Sequence, residues 1–547
     1  MVSLYIVLLA PEETIKHSFD CFGKGGLILS LYVTWLLHRF ARQTRKLEPK
    51  TNPVESKQFL GAPVMFRCKT FSVAILVTAI CLPSVSFAIS PCYYQSIIFE
   101  VVKKGPDSNG EFSDEMIAVL RLSGYAAIND IRSQWQSADD RLASIEKTTS
   151  TRELNDQEQK EQAKLIRERD NLAKLIDQVA QQRGAMKSGL FWHTEMDTAI
   201  EKAKTAGKPI LSLRMLGNLT DELSCANSRF FRTTLYSNLD ISNKLRKEFV
   251  LHWQSVRPVP KITIDFGDGR TLERTITGNS AHYLLDQTGQ PLDCLPGLYG
   301  PGEFSKWLNQ MGQLNTNTKE LEGEAKRNFL VDFHRQQNTL LNLRLNETRV
   351  NSDDPVVSQL QKLVAEQEHP TNRDAELVQA IPAIEAAPVA MSKSLIEAPV
   401  LNLAFDEKGI DQFVEEITEE QWKKLARFHA GTELLDKASI EIIKRENPSA
   451  KVAGELTRSK QLVEDPLVRL VRGFQNSILM DTVQNEYRLH RKIHQWFIDQ
   501  PPTDVEALNK QVYAQLFLTP DSDPWLGLKP ANVYSALEND GVKLTEK

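Results

Sequence analysis

A run of 19 residues without a charge, Phe71 to Ile89 (FSVAILVTAICLPSVSFAI), decides which part of this 547-residue chain folds in water. Met65, Arg67 and Lys69 stand just before it, and Ser86 and Ala88 put small residues at −3 and −1 of a cleavage site. That order of basic, apolar and small residues is the pattern of a secretory signal peptide over 65–88, cut after Ala88. Pro83 suits a signal peptide better than a membrane span; an uncleaved anchor and a buried core helix are the other two readings. Ahead of it, residues 1–64 hold a second apolar run, Gly26 to Leu37, of 12 residues, against the roughly 20 that a spanning helix needs. The reading preferred here is that Met65 is the true start and 1–64 an over-extended N-terminus; a cytosolic extension is the alternative. The expected location is outside the cytoplasm, periplasmic or extracellular, with membrane attachment only if 71–89 stays uncleaved.

Without residues 1–88, which carry 10 Lys/Arg and 5 Asp/Glu, the chain holds 56 basic against 66 acidic residues, a net charge of −10. Duplex nucleic acid is excluded as a partner, because binding it needs a basic footprint. A composition 41% hydrophobic and 25% charged excludes a wholly disordered or collagenous chain, and the length fits several domains. Of six cysteines only Cys92, Cys225 and Cys294 remain, enough for one internal disulfide and one thiol left over.

Residues 89–187 read as a helical hairpin. Ile128, Ile131, Trp135, Ala138, Leu142 and Ile145 follow a 3-4 spacing, an a/d seam. Thr148–Thr151 interrupts it, and Ser150-Thr-Arg-Glu153 has the form of a capping box for a second helix running to about Gln182. Two such helices fold most simply as an antiparallel, coiled-coil-like hairpin, with a parallel dimeric coiled coil as the alternative. Residues 188–313 have α/β texture: a helix stopped by Gly207-Lys-Pro209, the strand ILSLRML, and a helical stretch over 226–247 broken near Asn238. A strand from Phe249 follows, then two runs flanking Gly267-Asp-Gly-Arg270 as a β-hairpin, two more strands, and a closing helix from about Glu303. Residues 314–370 are helical, 371–403 form an Ala/Pro-rich linker, and 404–547 form an all-helical domain. Trp525, in the turn-rich tail, is expected to dock back on that bundle. The fold class is therefore α+α/β.

The order of elements over 192–312 resembles the thioredoxin-like family. Trp192, the helix ending Ala203-Lys-Thr-Ala-Gly-Lys-Pro209, Cys225-Ala-Asn-Ser228-Arg229, Phe249-Val250, the strand Tyr283-Leu-Leu-Asp286 and Leu295-Pro-Gly297 carry the resemblance, which covers less than a quarter of the chain. It implies an attacking cysteine at Cys225 and a resolving position at Ser228. Independently, Cys225 lies where a loop enters a helix, so free N–H groups and the helix dipole favour a thiolate there. Arg229 and Arg232 add positive charge, and Ser228 Oγ can donate to the sulfur. Ser228 cannot resolve a mixed disulfide, however, Ser280-Ala281 stands where the family has proline, and the Asp268-Gly269 hairpin replaces a helix between the central strands. The expected function is thus a protein-binding scaffold of the cell envelope. The competing expectation is a monothiol thiol-disulfide oxidoreductase acting through Cys225, Ser228 and Arg229.

Glu486, His490 and His494 fall at i, i+4 and i+8 of one helix. Two helical turns set the outer pair about 12 Å apart, so three cannot ligate one ion. The neighbouring Arg488, Arg491 and Lys492 make a solvated salt-bridge face the expectation, and no cofactor or metal is assigned. His429 is expected to pack at a helix end. Gly-x-Ser-x-Gly, P-loop, His-Glu-x-x-His and Cys-x-x-Cys motifs are absent. N-terminal sequencing of the exported product should begin at Ile89; any peptide from 1–64 would overturn the over-extended start.

Overall fold

The computed structural model describes residues 91–349 apart from 109, 150 and 276–277, then 417–446, 466–526, 537 and 542. The signal segment, the extension before it, the helix expected near 355–368 and the Ala/Pro-rich linker lie outside these residues. The chain divides into two compact units between Leu175 and Ile176. It is largely helical with a small mixed sheet, in keeping with an α+α/β class. Among the described residues no helix is long and apolar enough to cross a membrane.

In the first unit, α1 (Pro91–Lys104) packs on α2 (Asp114–Leu122) and α3 (Tyr125–Thr149), and α4 (Asp156–Ala180) begins there. The 3-4 seam buries Ile128, Ile131, Ala138 and Leu142. Ala138 and Leu142 meet Leu165 of α4, and the ion pairs Arg141–Glu161 and Arg169–Asp139 place α3 and α4 antiparallel. The cap of the second helix is not at Ser150-Thr-Arg-Glu153. Thr151 and Arg152 still turn back on Thr148 O, and α4 starts after Asn155. Asn155 Oδ1 accepts the Glu158 N–H at 2.9 Å while Glu158 Oε2 accepts the Asn155 N–H at 2.9 Å. Asn155-Asp-Gln-Glu158 meets the same spacing requirement as the earlier candidate. It also lets Arg152 pair with Glu158.

The second unit is built around a four-stranded sheet. A short helix, α5 (Ala185–Ser188), and α6 (Met196–Ala206) lead into β1 (Ile210–Leu216). Gly207 ends α6 in the left-handed conformation, φ 67°, which glycine adopts without a Cβ penalty. α7 (Ala226–Phe230) runs on as a π-helical turn over Phe231–Leu235. α8 (Leu239–Glu248) is capped by Asn238 Oδ1, which accepts the N–H of Asp240 and Ile241. β2 (Val250–Arg257) then returns parallel to β1. The Gly267-Asp-Gly-Arg270 turn joins β3 (Lys261–Asp265) to β4 (Thr271–Thr275) as a separate antiparallel hairpin. β5 (Ser280–Leu285) pairs antiparallel with β1, and β6 (Pro291–Pro296) with β5, so the order is β2-β1-β5-β6.

All of β1, β5 and β6 are buried. Strand alternation and the pairing register put Ser212, Arg214, Tyr283 and Cys294 on one face, with Leu213, His282 and Asp293 on the other. The covering helices are α9 (Pro301–Thr318), α10 (Gly323–Arg349), α11 (Glu419–Phe428), α12 (Lys437–Glu446) and α13 (Pro466–Gln484). α13 continues through a π-helical turn over Asn485–His490 into α14 (Arg491–Asp499). α15 (Val505–Gln511) ends in a third such turn over Val512–Leu516. One hydrophobic core holds Ile210, Leu213 and Leu284 of the sheet together with Ile443, Ile478, Phe497 and Tyr513 of these helices and turns. The helices after residue 404 therefore share the core of the sheet. Trp525 is 43% exposed, and Arg257 holds the tail through Thr519 O and Asp523 O.

His282 shows what this core demands. Its Nε2 lies 2.8 Å from Tyr236 Oη, and the rings of Phe231 and Phe304 enclose it. Burial lowers its pKa from 6.5 to about 3. The unfolded chain takes up that proton near 6.5 and the folded chain does not, so the group favours unfolding as pH falls below 6.5. Between about pH 7.5 and 5.5 it removes about 1 kcal/mol of stability. Urea denaturation at the two pH values should show a pH-dependent loss smaller by that amount in His282→Gln; an unchanged loss would refute it.

Candidate functional site

Cys225 forms the N-cap of α7, as its place between loop and helix required. Its backbone N–H donates to Leu216 O at 3.2 Å, which pulls it against the end of β1. The side chain is fully buried. Burial pushes the thiol upward; hydrogen bonds from Ser228 and the charge of Arg229 pull the other way without reversing it. Ser228 Oγ donates to Cys225 O at 2.9 Å and lies 2.7 Å from Ser224 Oγ. Arg229 donates to Thr275 Oγ1 at 2.8 Å. Arg232 is spread over Asp221 O and Ser224 Oγ, at 3.0 and 3.2 Å. The groups expected to activate the sulfur are thus engaged in holding the loop. Cys294 stands opposite Tyr283 in the sheet, and burial raises its thiol well above the ordinary value.

The denser chemistry lies at β6. Leu284 pairs with Asp293 and Leu285 with Pro291, so Leu292 is the extra residue of a bulge. A bulged residue leaves the ladder, and Leu292 O instead lies 3.0 Å from His334 Nε2 of α10. Asp293, buried in an otherwise apolar strand, is met from two directions. Trp307 Nε1 donates to its Oδ2 at 2.8 Å, and His490 Nε2 lies 3.2 Å from Oδ2 and 3.3 Å from Oδ1. Glu486 Oε2 sits 3.1 Å from the other ring nitrogen of His490. The π-helical turn carrying Glu486 and His490 packs against the loop after β6. Asn485 Nδ2 donates to Leu298 O at 2.8 Å, and a Cβ at Gly297 would stand 2.4 Å from Asn485 Nδ2. Only glycine permits that approach, and φ of 89° at Gly297 requires it as well.

His494, one turn beyond His490, faces His334. The two Nδ1 atoms are 2.9 Å apart, and the ring of Phe497 stacks on His334 at 4.1 Å. A carbonyl can only accept, so the proton of neutral His334 sits on Nε2, toward Leu292, and its Nδ1 presents a lone pair. Charge orders the cluster. Burial alone would raise the Asp293 carboxyl, but the charge and hydrogen bond of His490 hold it well below the usual carboxylate range. Burial would lower His490, and Asp293 with Glu486 raises it instead. His334 falls to about 4 through burial, and His494 well below its ordinary value through burial and the charge on His490. The result is an Asp293–His490–Glu486 ion cluster beside two neutral imidazoles.

Glu486, His490 and His494 do share one helical stretch, but the expected solvated face is a buried one: His490 is 4% and His494 2% exposed. The flanking cations are taken up otherwise, Arg488 over the Trp422 ring at 4.8 Å and Arg491 on Asn342 Oδ1 at 3.2 Å. Asp293 and His334 escaped the sequence reading, although a carboxylate inside Pro-Leu-Asp-Cys-Leu-Pro296 was a signal for a buried partner. His429 packs at the end of α11 as expected, 3.1 Å from Glu303, whose carboxyl is lowered to about 2, against burial, by the His429 hydrogen bond and charge and by Lys306.

The chain matches no protein-family model, no curated protein and no solved structure. Removing one member of a buried ion pair strands the other charge, at a cost of about 3–5 kcal/mol. Asp293→Asn should lose stability of that order in urea denaturation, and adding His490→Gln should cost far less than the sum of the two single losses. Additive losses would show that the pair is not coupled.

Proposed function

We propose that this chain is an exported binding protein whose α/β segment is a thioredoxin-like scaffold without thiol-disulfide chemistry, engaging protein partners in the cell envelope. The observation that carries the reading is the full burial of Cys225, which raises its thiol despite the hydrogen bonds from Ser228 and the charge of Arg229. A nucleophile for disulfides must be a thiolate within reach of its target. The scaffold reading draws support from a parallel β1–β2 pair joined through α7 and α8, followed by the antiparallel β5–β6 pair and α9. Position 228 offers no second sulfur.

Alkylation separates this reading from the monothiol oxidoreductase. Native Cys225 should resist iodoacetamide at about pH 8 and react only after denaturation. The set of envelope proteins cross-linked to the chain should be unchanged by Cys225→Ser. Alkylation of the native chain with an apparent pKa below about 7, together with mixed disulfides lost in Cys225→Ala, would replace the scaffold with the redox reading.

A further inference from the structure

Three segments far apart in the chain deliver ligand-type side chains to one buried point: Asp293 from the bulged end of β6, His334 from α10 and His494 from α14. One potential ligand atom from each lies within 4.8 Å of the others. We propose that Asp293, His334 and His494 bind a divalent metal ion of the zinc class.

The side chains are disposed as such an ion requires. The two Nδ1 atoms converge at 2.9 Å. A tetrahedral ion bound at about 2.0–2.1 Å would hold them about 3.3 Å apart, so this pair opens by a few tenths of an ångström and the three ligand atoms, now within 4.8 Å of one another, draw to that spacing. Two of the three ligands, His334 and Asp293, are also fixed from behind, the arrangement that orients metal-binding side chains. Leu292 O holds the far nitrogen of His334, which commits Nδ1 to the ion. Trp307 occupies Asp293 Oδ2, leaving Oδ1 with only the long 3.3 Å contact to His490. Glu486 in turn holds His490, whose ring lies 4.1 Å from that of His494. Two imidazoles and one carboxylate select zinc, cobalt or nickel over magnesium and calcium, which take oxygen ligands. Three protein ligands leave the fourth position to water. The ion would tie the edge strand to α10 and α14, and nothing in this depends on how Cys225 behaves.

The full-length chain, stripped with chelator, is titrated with Co²⁺ and with Zn²⁺. One Co²⁺ per chain should bind with the intense visible d–d bands of a tetrahedral site. X-ray absorption should show nitrogen and oxygen neighbours and no sulfur, which separates this site from any at Cys225 or Cys294. Zn²⁺ should displace the Co²⁺ and raise the melting temperature. His334→Gln and His494→Gln should each weaken binding by about 100-fold or more, and His490→Gln by about 10- to 100-fold, with circular dichroism checking that each is folded. Failure of the wild-type chain to bind either ion overturns the proposal without reference to any variant. So does binding that survives in folded His334→Gln and His494→Gln, or a sulfur neighbour in the absorption spectrum.

Discussion

A carboxylate buried in an apolar strand has to be answered by charge from elsewhere, and much of the second unit is arranged around the answer to Asp293. Unpaired, it would take up a proton; paired with His490 it stays ionised at the cost of burying a second charge. That requirement fixes the π-helical turn over Asn485–His490 against the end of β6, where Gly297 lets the two backbones close up. The same logic repeats on the opposite face at Arg214, buried to 1% in β1. Its guanidinium is met by Gln254 of β2 and by Glu506 of α15 at 2.7 Å. Tyr283 Oη donating to Asn509, Thr482 Oγ1 accepting from the Gly300 N–H, and Ser237 against Ser439 add neutral links of the same kind. Sheet and C-terminal helices therefore specify one another through polar contacts set in a common hydrophobic core.

Cys225 shows which of two effects wins when a motif position and its burial disagree. A helix N-terminus offers a thiolate typically 0.3–1 kcal/mol, and here the regular helix lasts only five residues before the π-helical turn. Removing a unit charge from water costs several kcal/mol after relaxation. The charge of Arg229 and the hydrogen bonds of Ser228 work against that cost without reversing it. Desolvation decides the outcome, and the sulfur packs as a small apolar group.

The α/β elements were legible because each rests on local chemistry. Gly207 before Lys208-Pro209 stops α6, Asn238 caps α8, and Gly267-Asp-Gly-Arg270 turns β3 into β4. The start of α4 was displaced by five residues because two stretches satisfied the same capping rule, and only the reciprocal bonds of Asn155 and Glu158 distinguish them. The cluster at β6 was legible in part. A helical wheel brings Glu486, His490 and His494 together, but it cannot show what covers that face. Asp293 lies 197 residues from His490, and His334 lies 160 from His494. Such pairings follow from tertiary packing, and local periodicity holds no trace of them. The basic neighbours misled for a physical reason: long cationic side chains can lie across rings and amides at the rim of a buried face, as Arg488 does on Trp422.

The route of the C-terminal helices explains why β6 can be an edge strand and still be buried throughout. An edge with free backbone groups invites pairing with other chains and must be covered or interrupted. The bulge at Leu292 interrupts the ladder, and His334 takes the carbonyl it frees. The face of the sheet carrying Asp293 is closed by His490 just before α14, whereas the face carrying Tyr283 and Arg214 is closed by Asn509 and Glu506 of α15. Between these helices, within the span from His490 to Glu506, the chain passes from one face of the sheet to the other, and Gln500-Pro501-Pro502 supplies the break in helix that the passage needs. The sheet is thus closed on its two faces by consecutive helices. The His334–His494 contact sits where the first of them meets α10, so the bulge, α10 and α14 are joined at one corner of the core.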